Sequence, residues 1–264
     1  DDNPWPQRWL ERRVLIRAAD RARWGRRRRA EMHAALACLG LPDAVLVALG
    51  WPDLGLAHAL FTAPDPLLER LQRELQAFAP DLVVLPALAD RHPDHGTAHV
   101  LLRLALRRAG LSPRLVVYGV HGLRFPPAAA VPPATSAELA RRQAALAAHR
   151  SQWPLGRRRL LQCLARSETL ALPAPARDGD TLPWRPPPWI RPALRLGVVD
   201  AGGSRCWRWC EAPLQSGPDG WRLGLEPGPG PRFVRLELAW RTLWIFDAWG
   251  WCELLPATVE RGRR

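Results

Sequence analysis

Short, uninterrupted apolar runs separated by helix-length amphipathic stretches constrain this chain more than anything else in it. Residues 44–49, 82–86 and 115–120 are almost wholly aliphatic and are set off by proline, aspartate or glycine. Strands buried on both faces read this way, and such strands belong to parallel sheets covered by helices. Between the runs lie stretches predicted as helices. Residues 26–39 carry Ala30, Ala34, Ala37 and Cys38 on one face and stop at Gly40. Residues 66–78 follow Asp65 as N-cap and point Leu67, Leu71, Leu75 and Phe78 at a core. Residues 95–108 end before Gly110, and residues 136–149 form a further amphipathic helix. Residues 1–20 lack a period and read as a loop. This alternation through residue 120 predicts an α/β fold: a Rossmann-like, mostly parallel sheet with flanking helices.

After residue 172 the texture changes. Residues 173–192, with Pro186-Pro187-Pro188, read as a proline-rich linker. Residues 193–264 read as a small, tryptophan-rich antiparallel β unit with a basic tail. Its clearest strand spans residues 233–246, where Val234, Leu236, Leu238 and Trp240 alternate with Arg235 and Arg241. A period of two puts Leu238 and Trp240 inside and both arginines outside. The expected division is therefore residues 1–172, a linker, and residues 193–264.

The net charge of +13 raises a nucleic-acid reading, and all 38 basic residues are arginine. They are scattered, apart from Arg26 to Arg29 and the tail Arg261, Arg263 and Arg264, which suits a basic surface better than a nucleic-acid groove. No apolar run reaches the ~18 residues that a membrane helix needs. An odd count of five cysteines argues against a disulfide framework, and Cys206 and Cys210, four apart on an expected strand, should lie in the core. A cytoplasmic protein is expected.

The chemistry concentrates in His92-Pro93-Asp94-His95, just beyond a buried strand and at the start of a helix. Loops at the carboxyl ends of parallel strands are where α/β sheets place their sites. Two imidazoles and a carboxylate within four residues offer metal ligands or acid–base groups. The plainer alternative makes Asp94 a helix cap and the histidines incidental. His99, one turn on, reads as a solvated helix residue.

The stretch from Pro80 to Leu85 and on through Asp90-Arg91-His92-Pro93-Asp94-His95 resembles the second signature of the PIG-L/LmbE-like deacetylases. Arg28-Arg29-Ala30-Glu31 followed by Cys38-Leu39-Gly40, Leu49-Gly50-Trp51-Pro52-Asp53, His149-Arg150-Ser151-Gln152 and Arg166-Ser167-Glu168 are similar to further family segments, in the same order. The resemblance covers about residues 1–172. It implies a zinc-dependent hydrolase, with zinc or another divalent metal, that removes an N-acetyl group from a glucosamine-containing substrate. It implies His95 as a metal ligand, His92 as the imidazole that stabilises the oxyanion or protonates the leaving amine, and Asp94 as its orienting carboxylate. Arg28 and Asp53 are the implied substrate contacts. The family's opening His-Pro-Asp-Asp-Glu signature, which supplies further ligands and the general base, is not found. The resemblance therefore implies a missing strand–helix–strand unit upstream and an inactive fragment. Two other functions remain: a non-catalytic carbohydrate-binding relative, its tryptophans stacking on sugar, and an arginine-rich nucleic-acid binder.

Overall fold

A computed structural model describes residues 4–51, 53–121, 134–165, 170–226, 228, 230–240 and 246–255. Among these residues seven helices run in chain order: α1 (Pro4–Glu11), α2 (Ala18–Cys38), α3 (Leu56–Thr62), α4 (Pro64–Phe78), α5 (Pro93–Ala109), α6 (Ser136–Ala148) and α7 (Trp153–Ala165). The strands are β1 (Leu82–Pro86), β2 (Arg114–Tyr118), β3 (Leu170–Ala171), β4 (Arg177–Asp178), β5 (Leu194–Asp200), β6 (Gly203–Arg208), β7 (Leu214–Gly217), β8 (Gly220–Leu223), β9 (Arg232–Leu238) and β10 (Gly250–Leu255). The chain divides into two compact units, residues 1–53 with 130–169, and residues 54–129 with 170–264.

The first unit is helical where it is described. Residues 4–11 and 18–20, expected as loop, belong to α1 and α2 instead, and α2 begins at Ala18 rather than at the expected residue 26. The buried Gln7 holds the turn between them by donating to the Asp20 carbonyl at 2.8 Å. Helix α6 starts on a capping box that Thr135-x-x-Glu138 spells out: Glu138 N donates to Thr135 Oγ1 at 3.2 Å, and Thr135 N to Glu138 Oε2 at 2.7 Å. Glu31 of α2 is buried and takes Ser151 N at 2.9 Å and Ser151 Oγ at 2.6 Å. Two of the family-like segments thus meet, and Glu31 pairs with Arg27 and Ser151. Residues 44–49 are not the expected buried strand. They carry no regular structure, and Val45 is 86% exposed. An apolar run becomes a strand only by pairing, and no described strand pairs with this one.

The second unit holds both sheets. β1 and β2 pair in parallel, Val84 opposite Val116, and β3 adds an antiparallel edge. Leu85, Ala87, Val117 and Ala171 form the core on one side of this sheet. The other face of β1 leaves Leu82 and Val84 about half exposed. In α4, Leu67, Leu68 and Leu71 are buried, but Phe78 is 76% exposed at the helix's last position, and Pro64 rather than Pro66 begins the helix. Helix α5 starts two residues earlier than expected, at Pro93, and stops where Gly110 adopts φ 69°.

The second sheet has the order β4-β10-β9-β5-β6, antiparallel except for the short β4–β10 pairing, and β7-β8 is a separate hairpin. Leu194, Leu196, Val198, Val234, Leu236 and Leu254 are its core, with Trp184, Trp207, Trp221 and Trp249 packed around them. Within residues 173–192, Arg177–Asp178 form β4 and Leu182 is buried. Val234 and Leu236 face inward as their alternation requires, whereas Arg235 is only 2% exposed and Trp240 is 57% exposed. Arg235 is buried because the sheet is covered on both faces. α3 approaches so closely that a Cβ on Gly197 would lie 2.2 Å from Phe61. The arginines stay buried because carboxylates pair with them. Trp240 lies beyond the strand's end, and Arg241 lies outside the described residues. Cys206 is exposed on β6, which is an edge of the sheet, and Cys210 is exposed in a 3₁₀ turn after that strand.

Candidate active site

The loop from β1 to α5 is built around Asp90, which is 3% exposed. Its Oδ1 accepts from His92 N at 2.9 Å, and its Oδ2 from Val120 N at 2.8 Å and His121 N at 3.1 Å. One carboxylate thus ties the loop after β1 to the loop after β2, and Arg91 N donates to the His121 carbonyl at 3.2 Å to close the junction. Because the two strands are parallel, both loops emerge at the same, carboxyl, end of the sheet. Burial pushes the Asp90 carboxyl up, but His95 and the three backbone N–H groups outweigh it and hold the carboxyl well below the usual range.

His92 caps α5: its Nδ1 accepts from Asp94 N at 3.3 Å, and Pro93 at the first helical position needs no N–H partner. With Nδ1 an acceptor, the neutral His92 ring carries its proton on Nε2. His95 lies one turn into the helix, its ring 4.7 Å from that of His92 and 5.2 Å from that of His121. Its Nδ1 is buried and stands 3.3 Å from Asp90 Oδ1, the contact through which His95 holds that carboxyl's pKa down. Donor atoms of Asp90, His95 and His121 all lie within 4.8 Å of one another. Asp94 accepts from Leu54 N at 2.6 Å and Leu56 N at 3.2 Å, which anchors the start of α3 beside the histidines.

The second sheet supplies the remaining wall. The Phe246 ring lies 5.0 Å from His121 and edge-on, 6.5 Å, to His92. Asp247 N donates to the Arg91 carbonyl at 2.8 Å, and the Asp247 carboxylate receives Arg235 through two bonds of 2.8 and 2.7 Å. Trp251 of β10 packs on the first turn of α5, its Nε1 donating to Thr97 Oγ1 at 3.1 Å. Gly96 makes this approach workable, since a Cβ there would stand 2.7 Å from Trp251 Cδ1 and 2.8 Å from the Leu88 carbonyl oxygen.

The structure therefore brings His92, Asp94 and His95 together at the predicted edge of the sheet. Arg28 and Asp53 belong to the other unit. There Arg28 is half-buried, and burial lowers its pKa against the opposing pull of Glu31 and Asp53, while Asp53 is exposed. His99 is not solvated: it is 2% exposed, with Nδ1 2.8 Å from the Pro86 carbonyl oxygen. Arg166-Ser167-Glu168 lies outside the described residues. Sequence reasoning assigned no part to Asp90, His121 or Phe246. For His121 a signal was there, a histidine directly after the second apolar run, where the parallel arrangement returns the chain to the same edge.

Residues 10–106 match the family description PIG-L, GlcNAc-PI de-N-acetylase. The conserved protein TT1542 from Thermus thermophilus is 30% identical, the match covering 62% of this chain and 77% of that one with a TM-score of 0.40. No curated protein matches the chain. The span matched by the family includes His92, Asp94 and His95, and residues 10–106 of this mixed α/β chain belong to the PIG-L family.

Proposed function

We propose that the protein is a zinc-dependent hydrolase that removes the N-acetyl group from a glucosamine-containing substrate. The observation that carries this reading is the pairing of His92 and His95, rings 4.7 Å apart, at the carboxyl end of β1. Their environments differ in the way amide hydrolysis requires. His95 turns its buried Nδ1 toward the Asp90 carboxylate at 3.3 Å, the orienting contact that metal-bound imidazoles commonly make through the ring nitrogen away from the ion, and it would hold the metal. A zinc ion there would polarise the amide carbonyl and bring the pKa of its water to about 7.

The chain's own groups do the rest. His92 points a protonated Nε2 from a ring fixed by the Asp94 amide, so it can donate to the developing oxyanion or to the leaving amine. Asp94 holds the α5 turn against residues 54–56 and keeps that ring in place. Phe246 shields the His92–His121 side from water, which strengthens each of these interactions. Cys38, Cys206, Cys210 and Cys252 are free, which suits a reducing, cytoplasmic setting. No helix among the described residues is long and apolar enough to cross a membrane.

The test is amine release from N-acetylglucosamine conjugates by the zinc-loaded protein in its full natural length. His92→Ala should lower turnover by roughly 100-fold while leaving bound zinc in place. Failure to release amine from any N-acetylated amino sugar, or a His92→Ala protein of undiminished turnover, would overturn the reading.

A further inference from the structure

We infer that the turn joining α1 to α2 docks on an anionic membrane surface, where Trp9, Val14 and Leu15 enter the interface and the arginines around them meet lipid phosphates. The inference stands apart from the histidine site and does not rest on the activity proposed for it.

Three large apolar side chains are turned outward within seven residues of chain: Trp9 is 55% exposed, Val14 92% and Leu15 66%. Large apolar groups gathered on a surface mark contacts with proteins or membranes, because covering them is favourable. A packed turn holds them there. Ile16, the next residue, is buried, and the buried Gln7 donates to the Asp20 carbonyl at 2.8 Å, so the inner side of the turn is pinned. Arg12 leads the chain out of α1 with φ 51°, and Arg13 N donates back to the Arg8 carbonyl at 3.0 Å.

Charge decides what covers this patch. Its acids are already taken: Glu11 pairs with Arg23 at 2.6 Å, and Asp20 with Arg13 at 2.9 Å and Arg23 at 2.8 Å. Arg8, Arg12, Arg17 and Arg21 are exposed and, among the described residues, pair with no carboxylate. A second copy meeting the same patch would set arginine against arginine. Nucleic acid would satisfy the arginines through its phosphates but offers little apolar surface to Val14 and Leu15. A lipid interface offers both. Phosphates lie at headgroup level with acyl chains just beneath; tryptophan settles at that boundary, and arginine stems run along the apolar layer to reach the phosphates. Arg8, Trp9, Leu10, Arg12 and Pro154 also line an open concavity of about 570 Å³, in which two guanidinium groups are available to a headgroup phosphate.

The test is sedimentation of the 264-residue chain with mixed phosphatidylserine–phosphatidylcholine vesicles and with pure phosphatidylcholine vesicles. The wild type should bind the mixed vesicles, more weakly as salt is raised, and leave the pure ones alone. Each arginine at an anionic surface is worth about fivefold in affinity, so Arg12→Gln/Arg17→Gln should weaken binding by about 30-fold. Arg114→Gln/Arg222→Gln removes the same charge from exposed positions of the other unit and should change binding little. Val14→Ser/Leu15→Ser leaves the charge intact and should weaken binding by about 10-fold or more. All these side chains are exposed, so far-UV circular dichroism and Tm should match the wild type. A wild type that does not sediment with the mixed vesicles overturns the inference, whether or not it binds duplex DNA. So does a Val14→Ser/Leu15→Ser protein of wild-type affinity, which would leave only the attraction of a basic protein to a negative surface. Equal losses from the two arginine pairs overturn it as well. A wild-type dimer in gel filtration that Val14→Ser/Leu15→Ser dissociates would assign the patch to a second copy instead.

Discussion

Acidifying the protein from pH 7 to pH 5 should destabilise it through His99, a residue that touches neither the proposed metal ligand nor the solvent. It lies on α5, 2% exposed, its Nδ1–H donated to the Pro86 carbonyl at 2.8 Å. Nε2 is left buried, and among the described residues it has no hydrogen-bond partner. Burial, and to a lesser degree the nearby Arg103, push the imidazole down to about 4 from an ordinary 6.5, against the opposing pull of the Pro86 carbonyl. The unfolded chain therefore takes up a proton below pH 6.5 that the folded protein refuses until about pH 4. The stability contribution is complete above the unfolded value and is lost as pH falls through that window. Proton linkage gives a loss of about 2 kcal/mol at pH 5, rising toward about 3 kcal/mol below pH 4. The depressed Asp90 carboxyl acts in a separate range, below the ordinary carboxylate value, where its protonation removes stability in turn. Urea unfolding at pH 7, 6 and 5 should show the loss in the wild type and not in His99→Gln, whose amide can still donate to Pro86. Stability curves for the two proteins that run parallel from pH 7 to pH 5 would refute the argument.

Two further substitutions probe how the second sheet supports the site and itself. Gly96→Ala places a methyl 2.7 Å from Trp251 Cδ1 and 2.8 Å from the Leu88 oxygen, and should cost about 1–3 kcal/mol in denaturant unfolding. A neutral result would mean that Trp251 is not seated on α5. Arg232, 1% exposed, bonds Asp200, Asp180 and the Glu226 carbonyl. Arg232→Met takes this partner from Asp180 and leaves Asp200 with Arg205 alone, and should cost about 3 kcal/mol, read as a fall in Tm.

The parallel pair β1 and β2, the helix α5 and the placement of His92 and His95 were legible because each depends on local information. Apolar runs of strand length, Pro93 at a helix start and Gly110 at its end carry that information in the residues themselves. Residues 44–49 have the same apolar texture without the pairing, which no single segment can encode. The misjudged side chains share a different cause. His99 looked solvated and Arg235 looked external because each was assigned to a polar face, and the elements that bury those faces come from far away in sequence. Almost the whole surface of α5 is covered, from Gly96 and Thr97 through Leu106, so a polar residue there has no water to reach. Asp90 and His121 escaped notice for a related reason, since their meeting depends on a register between strands separated by a helix.

The bond between Trp251 and Thr97 spans 154 positions of the chain, and that separation gives the site a timetable. A ribosome adding about 5–20 residues each second finishes α5 many seconds before it reaches β10. Until then Gly96 faces no indole, the Arg91 carbonyl has no Asp247 amide to accept, and the histidines have no Phe246 beside them. A nascent chain halted before β10 would display the His-Pro-Asp-His helix without its wall. The helix that carries the histidines is thus synthesised well before the strand that covers its first turn.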